Sequence, residues 1–281
     1  MSKIRLITES SCDLNKEIAN MYNITVIPQN ITLNGETYLD GDLDLSKFYD
    51  IMSKSKELPK TSCPSPDKFK TSYEECEEDE IIVFTIASKL SGTYSAASLG
   101  KQIYEEEVDS KKRIEIIDSE CGSIGQCLLI LLAARMIEEG KSFDEIVEEL
   151  NEKKKEVVFY GALETLDNAI KGGRVNPIAG KIINALNFKA IIQIGDSQVK
   201  PIDKARGDNN SIKKVVDKIL DAVGDDNNKT LFIAHADSPL KADKVKEMLT
   251  KDKSYKNIYT TTIGAVMGTY TSKGAVLVAV L

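Results

Sequence analysis

Residues 81–118 read IIVFTIASKLSGTYSAASLGKQIYEEEVDSKKRIEIID. Ile81–Ala87 is a nearly unbroken apolar run of strand length, the pattern of a strand buried on both faces. After the short polar loop Ser88–Gly92, Thr93–Tyr104 has helical composition and spacing, and Ile114–Asp118 is a second short apolar strand. Strand, helix and strand in that order imply a crossover connection and parallel pairing.

The same rhythm extends outward from this stretch. Upstream, Ile4–Thr8 forms a first strand, and Asp13 is placed to cap a helix carrying Leu14, Ile18 and Met21. Ile24–Ile27 and Ile31–Leu33 are extended, and Asn34-Gly35 turns the chain into Glu36–Leu39 as a hairpin. Phe48, Ile51 and Met52 mark a second helix. Ser65-Pro66 opens a third, with Phe69, Tyr73 and Cys76 on one face. Downstream, the apolar stretch through Leu128–Met136 is a buried helix, and Ser142-Phe143-Asp144-Glu145 is a capping box.

Beyond the charged stretch Glu148–Glu156 the rhythm changes. Val157–Gly161 and Phe188–Gly195 are strands, and Gly195-Asp196-Ser197 turns the second toward Gln198–Lys200. Ile212, Val215, Val216, Ile219, Leu220 and Val223 make an amphipathic helix. Strands at Thr230–Ala234, Asn257–Thr262 and Ala275–Val280 complete the chain, with a helix opening at Ser238-Pro239. The expectation is an α/β protein of two domains. Residues 1–155 form a three-layer α/β/α domain on a mostly parallel sheet, and residues 156–281 an α/β domain on a mixed sheet.

The 281 residues are 42% hydrophobic and 29% charged, an ordinary globular balance. Lys and Arg number 37 against 44 Asp and Glu, a net charge of −7 that argues against broad nucleic-acid binding. The longest apolar run, Cys127–Ala134, is far shorter than the ~18 residues of a membrane span. The N-terminal residues lack the apolar core of a signal peptide. Five cysteines, none in a Cys-x-x-Cys pair, speak against a disulfide framework or a structural zinc site. A reducing cytoplasm is the expected compartment.

Standard catalytic patterns are missing. One histidine, His235, excludes a multi-histidine metal site, and no phosphate-binding glycine loop, dinucleotide fingerprint or nucleophile elbow occurs. Ser-x-x-Lys spacing recurs in six places, Ser65/Lys68 and Ser98/Lys101 among them, as chance gives in a lysine-rich chain. His235 follows a strand, where a hydrogen-bonded structural role is the plainer reading. No catalytic residue, metal or cofactor is expected.

What recurs instead is small hydroxyl residues between elements: Thr8-Glu9-Ser10-Ser11, Thr61-Ser62-Cys63-Pro64-Ser65-Pro66 and Ser88-Lys89-Leu90-Ser91-Gly92-Thr93. Ligands of open parallel sheets gather beyond the carboxyl ends of the strands. Neutral donors there hold an anion without burying a cation. The same hydroxyls would equally serve as plain helix caps.

In order along the chain, several segments resemble motifs of the DegV family. They are Thr8–Leu14, Lys60–Pro66, Ser88–Tyr94, Ile117-Asp118-Ser119, Leu163–Leu166, Lys171-Gly172-Gly173-Arg174, Lys204-Ala205-Arg206, Ala234-His235-Ala236 and Gly274-Ala275. The resemblance implies a two-domain α/β protein that encloses a long-chain fatty acid between its domains. Such a protein presents the acid to a fatty acid kinase, which makes an acyl phosphate for phospholipid synthesis.

By motif the carboxylate-holding residues correspond to Thr61 and Ser91. The histidine that usually joins them is replaced by Tyr270 in Gly268-Thr269-Tyr270-Thr271-Ser272-Lys273-Gly274. A phenol still donates a hydrogen bond but does not titrate near pH 7. Arg174 and Arg206 would contact the kinase or a phosphate, or else be a helix-end charge and a solvated loop cation. Leu128–Leu132 would be tunnel wall or plain core.

The ligand class fits an apolar tunnel, since about 0.8 kcal/mol per methylene gives roughly 10 kcal/mol for a chain of about sixteen carbons before ordering costs. The expected function is therefore a lipid-binding carrier, not an enzyme. A small-molecule transferase or hydrolase in the same crevice is the alternative, and an interaction module with an empty pocket is a third reading.

Overall fold

A computed structural model describes residues 4–55, 57–108, 112–177 and 188–281. Met1–Lys3, read with the first strand, lie outside these. The N-terminal half runs β1 (Ile4–Glu9), α1 (Lys16–Met21), β2 (Ile24–Ile27), β3 (Asn30–Leu33), β4 (Glu36–Leu39) and α2 (Leu45–Lys54). It continues with β5 (Lys60–Ser62), α3 (Pro66–Glu75), β6 (Glu80–Thr85), α4 (Thr93–Glu107), β7 (Arg113–Asp118), α5 (Ser123–Glu138) and α6 (Phe143–Lys153). A short 3-10 turn, Lys154–Glu156, leads from α6 into the C-terminal half.

That half begins with β8 (Val158–Leu163), α7 (Asp167–Lys171), β9 (Phe188–Gly195), β10 (Gln198–Arg206) and α8 (Asp208–Val223). The chain closes with β11 (Thr230–His235), α9 (Pro239–Thr250), β12 (Asn257–Thr262), α10 (Ala265–Thr271) and β13 (Val276–Val280).

The fold is α/β, as its alternating pattern requires. Strands order as β2-β1-β6-β7 in an all-parallel sheet. Ile81 and Val83 of β6 point to a layer with Phe69 and Tyr73 of α3 and Ala97 and Tyr104 of α4. Ile82 and Phe84 point the other way, toward α5. That period of two is why β6 is apolar throughout: both of its faces are covered.

The second sheet orders as β10-β9-β8-β13-β11-β12 and is antiparallel except for β11–β12. One face packs on α8 and α9 through Ile191, Val276, Val278, Leu231 and Ile233. The opposite face carries Leu163, Ile192, Ile194, Phe232, Leu277 and Ala279 and joins the core that contains α5. Helix α5 packs on β13 and β11 of this sheet and on β1 and β6 of the parallel one. Its residues Ser123–Leu131 are all buried, so it is a core helix with no polar stripe.

Several local expectations give way to longer-range packing. Asn15, not Asp13, caps α1 by accepting the Ile18 amide hydrogen bond, because Asp13 is turned inward at φ 56° and its carboxylate is used elsewhere. Tyr49 rather than Ile51 fills the inner face of α2, with Ile51 exposed. Thr61 lies not in a loop but on β5, which pairs with β3 as the edge of a small antiparallel sheet ordered β4-β3-β5. Lys204-Ala205-Arg206 is likewise strand. β10 stays paired to β9 through Arg206, with a bulge between Pro201 and Asp203 where proline has no N–H to give. An edge strand tolerates such charges, which is why the stretch reads as loop. Helix α10 has no counterpart in the sequence reading.

Gly161 of β8 lets Leu277 lie flat against the strand: a Cβ there would stand 2.5 Å from Leu277 Cδ2 and 3.2 Å from the Val276 carbonyl oxygen. Gly161→Val is expected to lower unfolding stability by about 1–3 kcal/mol, read as a reduced urea midpoint at unchanged slope.

Candidate functional site

Helix α5 covers the β13–β11 part of the inner face of the mixed sheet. Over the β8–β10 part of that face lies a cavity, with about 660 Å3 of space free of protein atoms counted out to its mouth. Leu163 of β8, Ile192 and Ile194 of β9, Val199 of β10 and Leu277 of β13 form its apolar wall. Four neutral polar residues from the N-terminal half face that wall: Ser11, Gln29, Thr61 and Ser91. The rim is made by Val266, Met267, Tyr270 and Thr271 of α10 and by Ala169 and Arg174 on and after α7. One end is thus polar and mostly uncharged, and the body is hydrocarbon.

Two hydroxyl pairs stand at the polar end. Thr61 Oγ1 and the Tyr270 hydroxyl share a hydrogen bond at 2.7 Å, joining β5 to α10 across 209 residues of sequence. Ser91 Oγ and Thr93 Oγ1 share another at 2.9 Å. Ser91 is held where β6 gives way to α4, its backbone N–H donating to the Ala87 carbonyl at 3.2 Å.

Tyr270 is fixed from three sides. Beyond its bond to Thr61, the Arg174 guanidinium sits 4.8 Å from its ring centroid, a cation–π geometry. Gly172 flanks the ring so closely that a Cβ would come within 2.5 Å of Cε1. Arg174 is itself oriented, Nε donating to the Leu90 carbonyl at 3.1 Å and Nη1 to that of Gly172 at 2.6 Å.

Helix α10 is short and is pinned by carboxylates from the N-terminal half. Asp13 Oδ1 accepts the Gly264 N–H at 2.7 Å, Oδ2 accepts the Ser123 hydroxyl, and Asp40 Oδ1 accepts the Ala265 N–H at 3.2 Å. Burial raises both acids above the usual carboxylate range, and most strongly Asp13.

Behind Ser11 lies Glu9, the last residue of β1 and fully buried. Its Oε1 accepts from the Ser11 hydroxyl at 2.8 Å, the Ile86 N–H at 2.9 Å and Gln126 Nε2 at 3.3 Å. Ser11 Oγ in turn accepts from Gln29 Nε2 at 3.1 Å.

The structure brings Thr61, Ser91, Tyr270 and Arg174 to one cavity. It does not bring Arg206 there: this residue is exposed at the end of β10, beside a surface hollow lined by Lys213, Lys214 and Asp217. Leu128–Leu131 are core and Leu132 is partly buried against it, all outside the cavity lining. His235 ends β11, its Nδ1 accepting from the Ser238 N–H at 3.3 Å, and burial lowers its pKa. It too is outside the lining. Among the described residues, no cluster of three or more His, Cys, Asp or Glu is placed to hold a metal ion, and no helix is long and apolar enough to cross a membrane. All five cysteines are unpaired.

Comparison with known proteins agrees with the resemblance. A sequence model described as "Uncharacterised protein, DegV family" matches residues 3–281. This chain belongs to the DegV family. A DegV domain-containing protein of Clostridium acetobutylicum is 35% identical over 236 residues, 83% of each chain. A DegV-family crystal structure from Ruminococcus gnavus, refined with vaccenic acid, superposes with a TM-score of 0.91 at 29% identity, covering 99% of both chains. DegV of Bacillus subtilis, described as a fatty acid binding protein, superposes at 0.84 with 28% identity, covering 100% of this chain and 99% of the other.

Among the polar residues of this DegV cavity, Gln29 and Thr271 escaped the sequence reading, and Ser11 entered it only as one of many loop hydroxyls. Tyr270→Phe should lower stability by about 0.5–1.5 kcal/mol by removing the bond to Thr61. Adding Thr61→Ala on that background should cost less than the same change in the wild type, a coupling that a double-mutant cycle in urea measures.

Proposed function

We propose that this DegV protein holds a long-chain fatty acid in the cavity, its carboxylate against Thr61, Ser91 and Tyr270, and presents it to a fatty acid kinase. The observation that carries the reading is the make-up of the lining: a mostly hydrocarbon wall, from the mixed sheet and from Ile86 and Leu90, with the neutral hydroxyls of Thr61, Ser91 and Tyr270 in the same cavity. The two family members described with a fatty acid support the ligand class. The kinase rests on the family resemblance.

Hydrogen counting fits a carboxylate. Each hydroxyl pair holds two O–H groups and uses one of them internally. Two donors remain, one per pair, for the two oxygens of the headgroup. Donors without formal charge avoid burying a lysine, and the chain's methylenes supply most of the affinity. Arg174, the one cation among the described lining residues, would suit a phosphate added to the headgroup. Arg206, outside the cavity, fits a docking contact with an acidic partner.

In this reading the protein is a carrier without catalysis of its own, and residues 1–155 and 156–281 are two lobes closing on the lipid. A transferase or hydrolase gains no support, because the chain's one histidine lies outside the lining and no cavity hydroxyl has an imidazole base.

Protein purified from cells is expected to carry fatty acid near one equivalent, found by solvent extraction and mass spectrometry. A delipidated sample that takes up neither oleate nor palmitate would contradict the reading. Thr61→Ala with Ser91→Ala should weaken binding by about 1–3 kcal/mol while leaving the apolar contribution intact. An unchanged affinity would remove these hydroxyls from the headgroup site.

A further inference from the structure

Glu9 leaves an imbalance at the polar end of the cavity. Three donors converge on its Oε1, while Oε2 has no partner, and neither does Oε1 of the neighbouring Gln126. Both side chains are fully buried. Buried polar atoms are seldom left unpaired, and an ionised carboxylate with one bare oxygen is among the costliest cases. One proton on Oε2 removes the charge and turns a bare acceptor into a donor.

Among the described residues, the surroundings of Glu9 supply no opposite charge. Its own turn presents Ser11, α5 presents Gln126, and the segment after β6 presents the Ile86 amide. Ile27 is its register partner on β2. Asp13, four residues on, directs its carboxylate to Ser123 and Gly264. Asp118, at the end of β7, accepts from the Ser88 and Glu120 amides. Across the cavity, Arg174 donates to the Leu90 and Gly172 carbonyls. Burial raises the Glu9 pKa, and the hydrogen bonds to its carboxylate only partly oppose that.

Two hydroxyl and amide links connect this acid to the ligand space: Glu9 to Ser11, and Ser11 to Gln29, the last two lining the cavity. We propose that Glu9 is a proton-accepting positioning residue for the headgroup: entry of an anionic head draws one proton from solvent onto Glu9 Oε2. Two carboxylates sharing one desolvated region cannot both stay ionised without a large penalty. No other bond is made or broken, and Ser11 and Gln29 keep their orientation toward the cavity. The proposal rests on the fatty-acid reading and adds to it a fixed proton stoichiometry.

Titration calorimetry of the delipidated full-length protein tests this, in buffers of different ionisation enthalpy from about pH 5 to about pH 9. The probes are oleate and a long-chain alkyl sulfonate, whose head does not titrate in that range. Wild-type protein is expected to take up close to one proton per ligand at the pH of maximum uptake, with both probes. Glu9→Gln should bind with uptake near zero, and Ser11→Ala should cut it at least twofold, which serves if the glutamine variant does not fold. Binding without uptake, or undiminished uptake in Glu9→Gln (the mark of Asp13, Asp40 or the ligand as proton acceptor), overturns the proposal alone. Failure of wild-type protein to bind either probe overturns it together with the fatty-acid reading.

Discussion

Helix α5 must be covered on every side, and that requirement organises the molecule. A helix without a polar stripe cannot rest on one sheet with its back to water. It is therefore enclosed between the parallel sheet and the mixed sheet, and the core runs continuously from one through the helix to the other. The mixed sheet has six strands, however, and α5 lies over β13, β11 and the Phe159 end of β8. The rest of the inner face, from Leu163 of β8 across β9 to Val199 of β10, is also apolar. The cavity lies over the part of that face which α5 leaves uncovered.

Position along the parallel sheet decides the chemistry at the other side of the cavity. The carboxyl ends of β1 and β6 arrive there with backbone N–H groups that the ladder no longer pairs. Short hydroxyl side chains and one buried acid, Glu9, meet those groups: Glu9 takes the Ile86 amide, and the Ser91 segment folds back on Ala87. The two jobs fall to different groups: Glu9 satisfies a backbone amide from behind the cavity, while the hydroxyls of Thr61 and Ser91 line it, bonded to Tyr270 and Thr93 and capping no helix.

The fold was largely legible because its main elements are stated locally. β6 shows an apolar run of strand length, Asn34-Gly35 turns at positive φ, and Ser65-Pro66 and Ser142 cap their helices. Thr61, Ser91, Tyr270 and Arg174 could be picked out only through ordered family motifs; nothing in their spacing tells that one cavity unites them. Illegible features have non-local causes. β5 is three residues without apolar alternation and exists because β3 offers it a partner. Helix α10, with Gly268 and Thr269 inside it, has weak helical propensity and is held by Asp13 and Asp40, more than 220 residues away in sequence. Gln29 carries no signal at all until Ser11 is seen beside it.

Placing a phenol where the family motif has an imidazole alters what the polar end can do with protons. Tyr270 donates or accepts a hydrogen bond with Thr61 and is clamped between Gly172 and the Arg174 guanidinium, so its geometry is stricter than a lone hydroxyl would have. The phenol thus adds a fixed hydrogen-bonding group to the polar end. In the proposed reading, a proton that accompanies an anionic ligand is held one layer further in. Glu9, desolvated and joined to the cavity through Ser11, is the acid that the structure puts at that depth.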